Sequence, residues 1–303
     1  MSAAAGSMVG WVQPARIKRS KWRPLGLLAM LVLAGCQATS PQRPVNDISS
    51  PAVEEVPVYT AETYQQLVRK YAQEGGEQVD YAGWKDNAAD RAQLDEFVQL
   101  LAAVSPATHP GQFPTRADER SYWINAYNAL VLQAVLELWP LDSVRDVKVS
   151  FSSRVIPGKG FFYDREVVVG GQTTNLYNLE KQVLKSQRDP RLHFALNCAS
   201  ESCPVLRPSD WTDADLDQAA RDFINQPENV AVVDGKLQVS RIFKWYRKDF
   251  PTDLAAYLQQ YAEPDLAKRL QQASLQQFPL VYLEYDWSLN TEAAGDAPAG
   301  ESP

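Results

Sequence analysis

The chain has 303 residues, is acidic and contains few histidines and cysteines, and these properties exclude several classes of protein. A formal charge of −7 argues against nucleic-acid binding, because Lys and Arg are needed to neutralise phosphates. Two histidines and three cysteines argue against a structural zinc site, which takes about four such ligands. We therefore expect no metal, no cofactor and no nucleic-acid partner.

The first 35 residues have the pattern of a lipoprotein signal peptide. Five bases and no acid precede a short apolar run over residues 24–33, and the bases are Arg16, Lys18, Arg19, Lys21 and Arg23. Such a run is too short for a permanent membrane span. It ends in LVLAGC, with Cys36 directly after small residues, and this resembles the cleavage site of bacterial lipoproteins. Cys36 would then be the lipidated, palmitate-bearing first residue of the mature chain. An ordinary secretory signal and an uncleaved anchor are the alternatives.

Removal of the signal peptide would leave a still more acidic chain. Without the five bases of residues 1–35, the formal charge of −7 becomes −12. An acidic body does not adhere to anionic lipid, so acyl chains on Cys36 would provide the link to the membrane. Gln37, and not Asp, follows that cysteine. This resembles the sorting pattern of lipoproteins of the outer membrane that face the periplasm.

Composition divides the rest of the chain into three segments. Residues 36–57 hold the lipidation cysteine and a stretch rich in Pro, Ser and Thr, which predicts a flexible tether. Residues 291–303 are mostly Ala, Gly, Glu and Pro, a composition typical of a disordered tail. Residues 58–290 are sufficient for one globular domain with a sizeable core.

Hydrophobic periodicity and capping residues predict mainly helices in this domain. The strongest helix follows Pro114, with Thr115 as its N-cap and Pro140 as its stop. Further helices are predicted over residues 63–73, 88–104, 176–185, 213–225, 253–261 and 265–272. Strands are predicted over residues 166–169 and 278–285, and a hairpin over Asp234-Gly235 joins residues 230–233 and 236–239. This order predicts an α+β fold, a single domain with several helices packed on a small, mainly antiparallel sheet.

Four segments resemble the bacterial lipoprotein branch of the domain of unknown function 547 family. They are YWINAYNA at residues 122–129, the helix with Leu179-Glu180, residues 189–204, and YDWSLN at residues 285–290. The resemblance covers about residues 60–290 and implies no settled activity. Members of the family often place His after the Glu of the Leu-Glu helix, where this chain has Lys181. A mechanism that needs two histidines therefore does not carry over to this chain.

The segment Asp189 to Pro204 contains the densest set of reactive side chains. Residues 192–197 are predicted to form a buried strand, on which His193 and Asn197 share one face. About 16 Å of strand would then separate His193 from Cys198, too far for a catalytic dyad. Cys198 and Cys203 could form a disulfide across the turn, stay as two free thiols, or provide Cys198 as a thiolate nucleophile.

Two functions fit these residues. The first is a ligand-binding or assembly module for an unknown small-molecule or envelope partner, with binding candidates Asn125, Asn128, Arg191 and Asp286. The alternative is a hydrolase or transferase that acts on an amide-containing envelope substrate, with catalytic candidates His193, Cys198 and Glu180. In that case His193 is the base, and Glu180 or Asp286 orients it. Alternatively, His193 is an ordinary core residue, and Asn125 and Asn128 have buried amides that support the fold. For Asn128 we expect a buried hydrogen bond.

Overall fold

The computed structural model describes residues 56–73 and 75–291. The predicted signal peptide, Cys36 and almost all of the predicted tether and tail lie outside these residues. The described residues from Pro57 onward form one compact unit. Within them the structure contains ten α-helices and two small sheets, and this confirms the predicted α+β fold.

The helices account for most of the regular structure. The α-helices are α1 Glu62–Tyr71, α2 Tyr81–Asp86, α3 Ala88–Ala103, α4 Arg116–Leu138, α5 Lys159–Phe162, α6 Leu176–Gln187, α7 Asp213–Ile224, α8 Ile242–Trp245, α9 Leu254–Gln259 and α10 Pro264–Gln276. Single-turn or slightly longer 3₁₀ helices cover Pro110–Gln112, Val144–Asp146, Ser152–Arg154 and Pro190–Phe194. None of the helices in the described part of the chain is both long and apolar enough to cross a membrane.

Helix α4 forms the centre of the domain. Thr115 and Asp118 cap each other reciprocally at its start, as the sequence predicts. Almost every residue from Tyr122 to Leu136 is buried, because α2, α3 and α6 pack around the helix. Polar side chains on a helix that is buried on all sides need hydrogen-bond partners. The few polar side chains of α4 therefore have a structural or functional role.

The two sheets are small and peripheral. Strands β1 Val167–Val169 and β2 Gln172–Thr174 form an antiparallel pair. Strands β3 Val230–Val233 and β4 Lys236–Val239 form the predicted hairpin, with positive φ at both Asp234 and Gly235, as its tight turn requires. Strand β5 Leu280–Tyr282 lies within the predicted strand over residues 278–285 and pairs with β4 in parallel. This parallel pairing was not predicted from the sequence.

The predicted strand over residues 192–197 is wrong. Pro190–Phe194 is a 3₁₀ helix whose N-cap, Asp189, accepts a hydrogen bond from the amide of Arg191. A short apolar run fits a buried strand and a buried helical turn equally well, and here Pro at the first helical position favours the turn. Consequently His193 lies on a helical turn, and the 16 Å separation along a strand does not apply.

Candidate functional site

Asn128 fixes the backbone that leads to the two cysteines. Its Nδ2 donates to the carbonyl oxygen of Ala195 at 2.9 Å, and its Oδ1 accepts from the amide of Asn197 at 2.9 Å. This confirms the expected buried hydrogen bond. Asn197 continues the chain of contacts, since its side chain donates to the carbonyl of Pro204 and accepts from the amide of Ala199. The cysteine loop, residues 198–203, is therefore anchored to the central helix.

Asn125, one turn earlier on α4, serves a different part of the core. Its Oδ1 accepts from the indole Nε1 of Trp211 at 2.9 Å, and both residues are fully buried. Its Nδ2 lies 3.4 Å from Ser121 Oγ. Of the two predicted binding amides, one thus supports the cysteine loop and the other supports Trp211.

Both cysteines of the loop are free thiols in the structure. The Sγ of Cys198 lies 3.1 Å from Ser200 Oγ and 3.4 Å from the hydroxyl of Tyr285. The amide of Cys198 donates to the Sγ of Cys203 at 2.7 Å. Ala199, between them, has a φ of 60°, a left-handed conformation that a residue with a side chain rarely adopts. The loop is therefore held in a strained turn next to Cys198. A disulfide between Cys198 and Cys203 is not formed in this structure and stays a prediction.

These contacts favour the thiolate of Cys198 over that of Cys203. Burial by itself raises the pKa of Cys198, but hydrogen bonds with Cys203, Ser200 and Tyr285 outweigh it, so the pKa is lowered from its usual value of 9.0. The pKa of Cys203 is raised well above that value, by burial and by its hydrogen bond to Cys198. Of the two thiols, Cys198 is therefore the one that loses its proton more readily.

Glu180 lies close to this pair, between two tyrosines. The hydroxyl of Tyr246 donates to its Oε1, and the hydroxyl of Tyr127 lies 3.5 Å from its Oε2. Burial raises the pKa of the Glu180 carboxyl above its usual value of 4.5 despite these hydrogen bonds. Its negative charge would oppose the Cys198 thiolate. Burial therefore favours the protonated form of Glu180 more than it would for an exposed carboxyl.

His193 pairs with an acid that the sequence did not suggest. Its Nε2 lies 3.0 Å from Asp249 Oδ2, and this hydrogen bond lowers the pKa of Asp249. The imidazole packs against Tyr246 and Phe250, with ring centroids at 4.2 and 5.2 Å, and its side chain is 3% exposed. Among the described residues no hydrogen bond joins His193 to Cys198. The predicted base and nucleophile share a neighbourhood, through Tyr246 and Glu180, but do not form a dyad.

Arg191 and Asp286 have structural contacts of their own. Arg191 forms ion pairs with Asp189, Asp213 and Asp217 at 2.6, 3.1 and 2.7 Å. Asp286 is exposed and caps a turn by accepting from the amide of Ser288 at 2.8 Å. The backbone of Asp286 also pairs with Ser202, so this segment closes over the cysteine loop. Neither side chain has a contact with Cys198.

A half-buried aromatic cluster adjoins the thiols. Trp245, Tyr285 and Trp287 contact one another, with ring centroids 4.6 to 5.5 Å apart. The guanidinium of Arg145 lies 5.3 Å from the Trp287 ring. Because Tyr285 also contacts Cys198, this half-buried cluster, here called the aromatic wall, lies directly beside the thiols.

Other features of the described residues lie apart from the thiols. A cavity of about 540 Å³ opens between α7 and the segment after α9, and its lining includes Arg207, Arg221 and Tyr261 but no predicted site residue. No group of three or more His, Cys, Asp or Glu side chains within residues 56–73 and 75–291 could hold a metal ion.

Residues 112–224 match the model of a family described as "Protein of unknown function, DUF547". The match covers α4, α6, α7 and the cysteine loop, and it supports the resemblance to the domain of unknown function 547 family over that region. No curated protein and no solved structure matches the chain. Tyr246, Asp249 and Tyr285 complete the site but lie outside the matched residues.

Proposed function

We propose that this domain is a thiol-dependent hydrolase or transferase of the cell envelope, with Cys198 as its nucleophile. The observation that carries the proposal is the set of hydrogen-bonding groups around one sulfur. The hydroxyls of Ser200 and Tyr285 lie 3.1 and 3.4 Å from the Cys198 Sγ, and the Cys203 thiol is a third hydrogen-bond partner. Donors stabilise the thiolate, which is the nucleophilic form of cysteine. A purely structural thiol needs no such contacts.

The geometry suggests an acyl transfer in two steps. The Cys198 thiolate attacks the carbonyl carbon of an amide, the C–N bond breaks, and the nitrogen takes the proton of the neutral Glu180 carboxyl. A thioester on Cys198 and a free amine result. Water then attacks the thioester, its proton returns to Glu180, and the Cys198 thiolate leaves as the carboxylic acid forms. A second amine in place of water would make the reaction a transfer.

His193 acts through another residue in this scheme. Its Nε2 is engaged by Asp249, and its ring packs on Tyr246 at a centroid distance of 4.2 Å. Tyr246 in turn donates to Glu180. We therefore assign His193 and Asp249 a positioning role for the tyrosine and the carboxyl, in place of the general base that the sequence suggested.

A binding module without catalysis is the second candidate. The aromatic wall favours it, because half-buried Trp and Tyr rings beside Arg145 can hold a sugar or peptide whether or not Cys198 reacts. Under this alternative Cys198 helps to shape the binding surface and does not react.

The place of action rests on the N-terminal sequence. The basic residues 16–23, the apolar run and the LVLAGC motif support cleavage before Cys36 and lipidation of that cysteine. We propose that the chain represents the lipoprotein branch of the family, anchored in the outer membrane with its domain in the periplasm. Its substrate would then be an amide-containing component of the envelope.

Trapping of an acyl-enzyme separates the two candidates. The full chain is mixed with an activated acyl donor, a short N-acetylated peptide thioester, quenched in acid and mapped by mass spectrometry. We expect the acyl group on Cys198 in the parent and in a Cys203→Ser control, and none in Cys198→Ser. Acylation at Cys203 instead, or equal background labelling of all three proteins, would contradict the enzyme and favour the binding module.

A further inference from the structure

A loop between the 3₁₀ helix Val144–Asp146 and α5 exposes three large apolar side chains. The exposed fractions are 56% for Val149, 83% for Phe151 and 73% for Val155. Single exposed apolar residues are ordinary, but several on one short loop mark an interaction surface. Residues 147–158 are called the apolar loop below.

The apolar loop is held in one conformation by its own serines. The buried Ser153 Oγ accepts from the amides of Val149 and Ser150, at 2.9 and 2.8 Å, and donates to the carbonyl of Ser150. At the base of the loop, the amide of Gly158 donates to the carbonyl of Arg145 at 3.1 Å. A loop that is ordered before it binds loses little conformational entropy on binding. The loop therefore holds its exposed side chains in a fixed arrangement.

The charge of the apolar loop is opposite to that of the chain. Residues 147–158 contain two bases, Lys148 and Arg154, and no acid, a net charge of +2 in a chain of −7. Lys148 and Arg154 are exposed, and neither forms an ion pair with any described residue. Apolar side chains flanked by bases are complementary to a bilayer surface, which has anionic headgroups above an apolar interior.

We propose that the apolar loop docks on the surface of a bilayer that contains anionic lipids. Phe151 and Val155 insert below the headgroups, and Lys148 and Arg154 contact the headgroup phosphates. This local contact differs from the whole-body adhesion that the acidic composition excludes, because only the basic loop faces the lipid. The proposal depends neither on acyl transfer at Cys198 nor on lipidation of Cys36. If Cys36 is lipidated, the loop supplies a further contact with the same membrane.

Vesicle sedimentation tests the docking with the full chain carrying Cys36→Ser, which has no acylation site at that position. One set of vesicles is phosphatidylcholine alone, and the other is phosphatidylcholine with an equal part of phosphatidylglycerol. We expect tighter binding to the anionic vesicles. Phe151→Ser should weaken that binding about tenfold, because one large apolar side chain no longer enters the lipid. Lys148→Gln with Arg154→Gln should reduce the preference for phosphatidylglycerol below that of the parent.

Leu275→Ser provides the matched control, since Leu275 on α10 is 78% exposed and lies outside the apolar loop. All variants keep the same N-terminal segment, so its own affinity for lipid cancels in the comparison. Their melting temperatures should equal that of the parent, because the changed side chains are exposed. Equal vesicle binding by the parent and Phe151→Ser would overturn the proposal. Loss of dimerisation in Phe151→Ser, without a change in vesicle binding, would assign the loop to a second copy of the chain and also overturn it.

Discussion

Replacement of Asn128 by alanine should destabilise the domain strongly. The side chain satisfies two buried backbone groups, the carbonyl of Ala195 and the amide of Asn197, each at 2.9 Å. Asn128 is 1% exposed, and Ala195 and Asn197 are also buried, so water cannot replace the lost partner without a rearrangement. An unsatisfied buried group costs about 1–3 kcal/mol, so the two together should cost about 3 kcal/mol.

Urea denaturation and thermal melting measure this loss. For a domain of this size we expect a fall in melting temperature of about 6–12 °C. Gln133→Ala is the matched control on the same helix, because Gln133 donates only to the Asp95 carboxylate near the surface. Its effect should be below about 0.5 kcal/mol. Equal losses in the two variants would refute the reasoning that α4 anchors the cysteine loop through Asn128.

Three further predictions concern the rest of the site and the anchor. Burial raises the pKa of Glu180, so its contribution to stability is present below its ordinary pKa and is lost as pH rises through the folded-state pKa. In urea denaturation the stability of the parent relative to Glu180→Gln should therefore fall as pH rises above the usual carboxyl pKa of 4.5, and a constant difference would contradict it. His193→Ala should lose about 2 kcal/mol in the same assay, because the ring packs against two aromatic side chains; a neutral result would contradict a stabilising role for this packing. Cys36→Ser should abolish incorporation of labelled palmitate in the producing bacterium, and label retained in that variant would disprove lipidation at Cys36.

The sequence predicted those elements whose ends carry a chemical signal. The caps Thr115, Asn175 and Thr212 each accept a hydrogen bond from the first turn of the helix that they begin. The hairpin over Asp234-Gly235 is confirmed for the same reason, since few residues tolerate its backbone conformation. Helices α2, α5 and α8 were not predicted. They span four to six residues, too few for a helical period to show.

The candidate site was predicted only in part. The segment around Cys198 and the acid Glu180 stand out in the sequence, and the structure places them near each other around Tyr246. Nothing in the sequence indicated that His193 pairs with Asp249. The stretch Arg247-Lys248-Asp249 has the composition of an ordinary charged surface segment. The wrong strand over residues 192–197 also placed His193 on one face with Asn197, whereas His193 lies buried on a 3₁₀ turn. Such long-range pairings depend on tertiary contacts that local patterns do not encode.

The pH dependence of alkylation at Cys198 tests the central claim, a stabilised thiolate, most directly. The rate of iodoacetamide modification at each cysteine is followed by mass spectrometry over the range of about pH 5 to 10, because only the thiolate reacts. We predict that Cys198 reaches half its maximal rate below the usual thiol pKa of 9.0 and that Cys203 stays unmodified over most of the range. Tyr285→Phe, which removes one donor to the Cys198 sulfur, should shift the Cys198 profile to higher pH. A Cys198 profile at or above the usual thiol pKa, unchanged by Tyr285→Phe, would contradict the account.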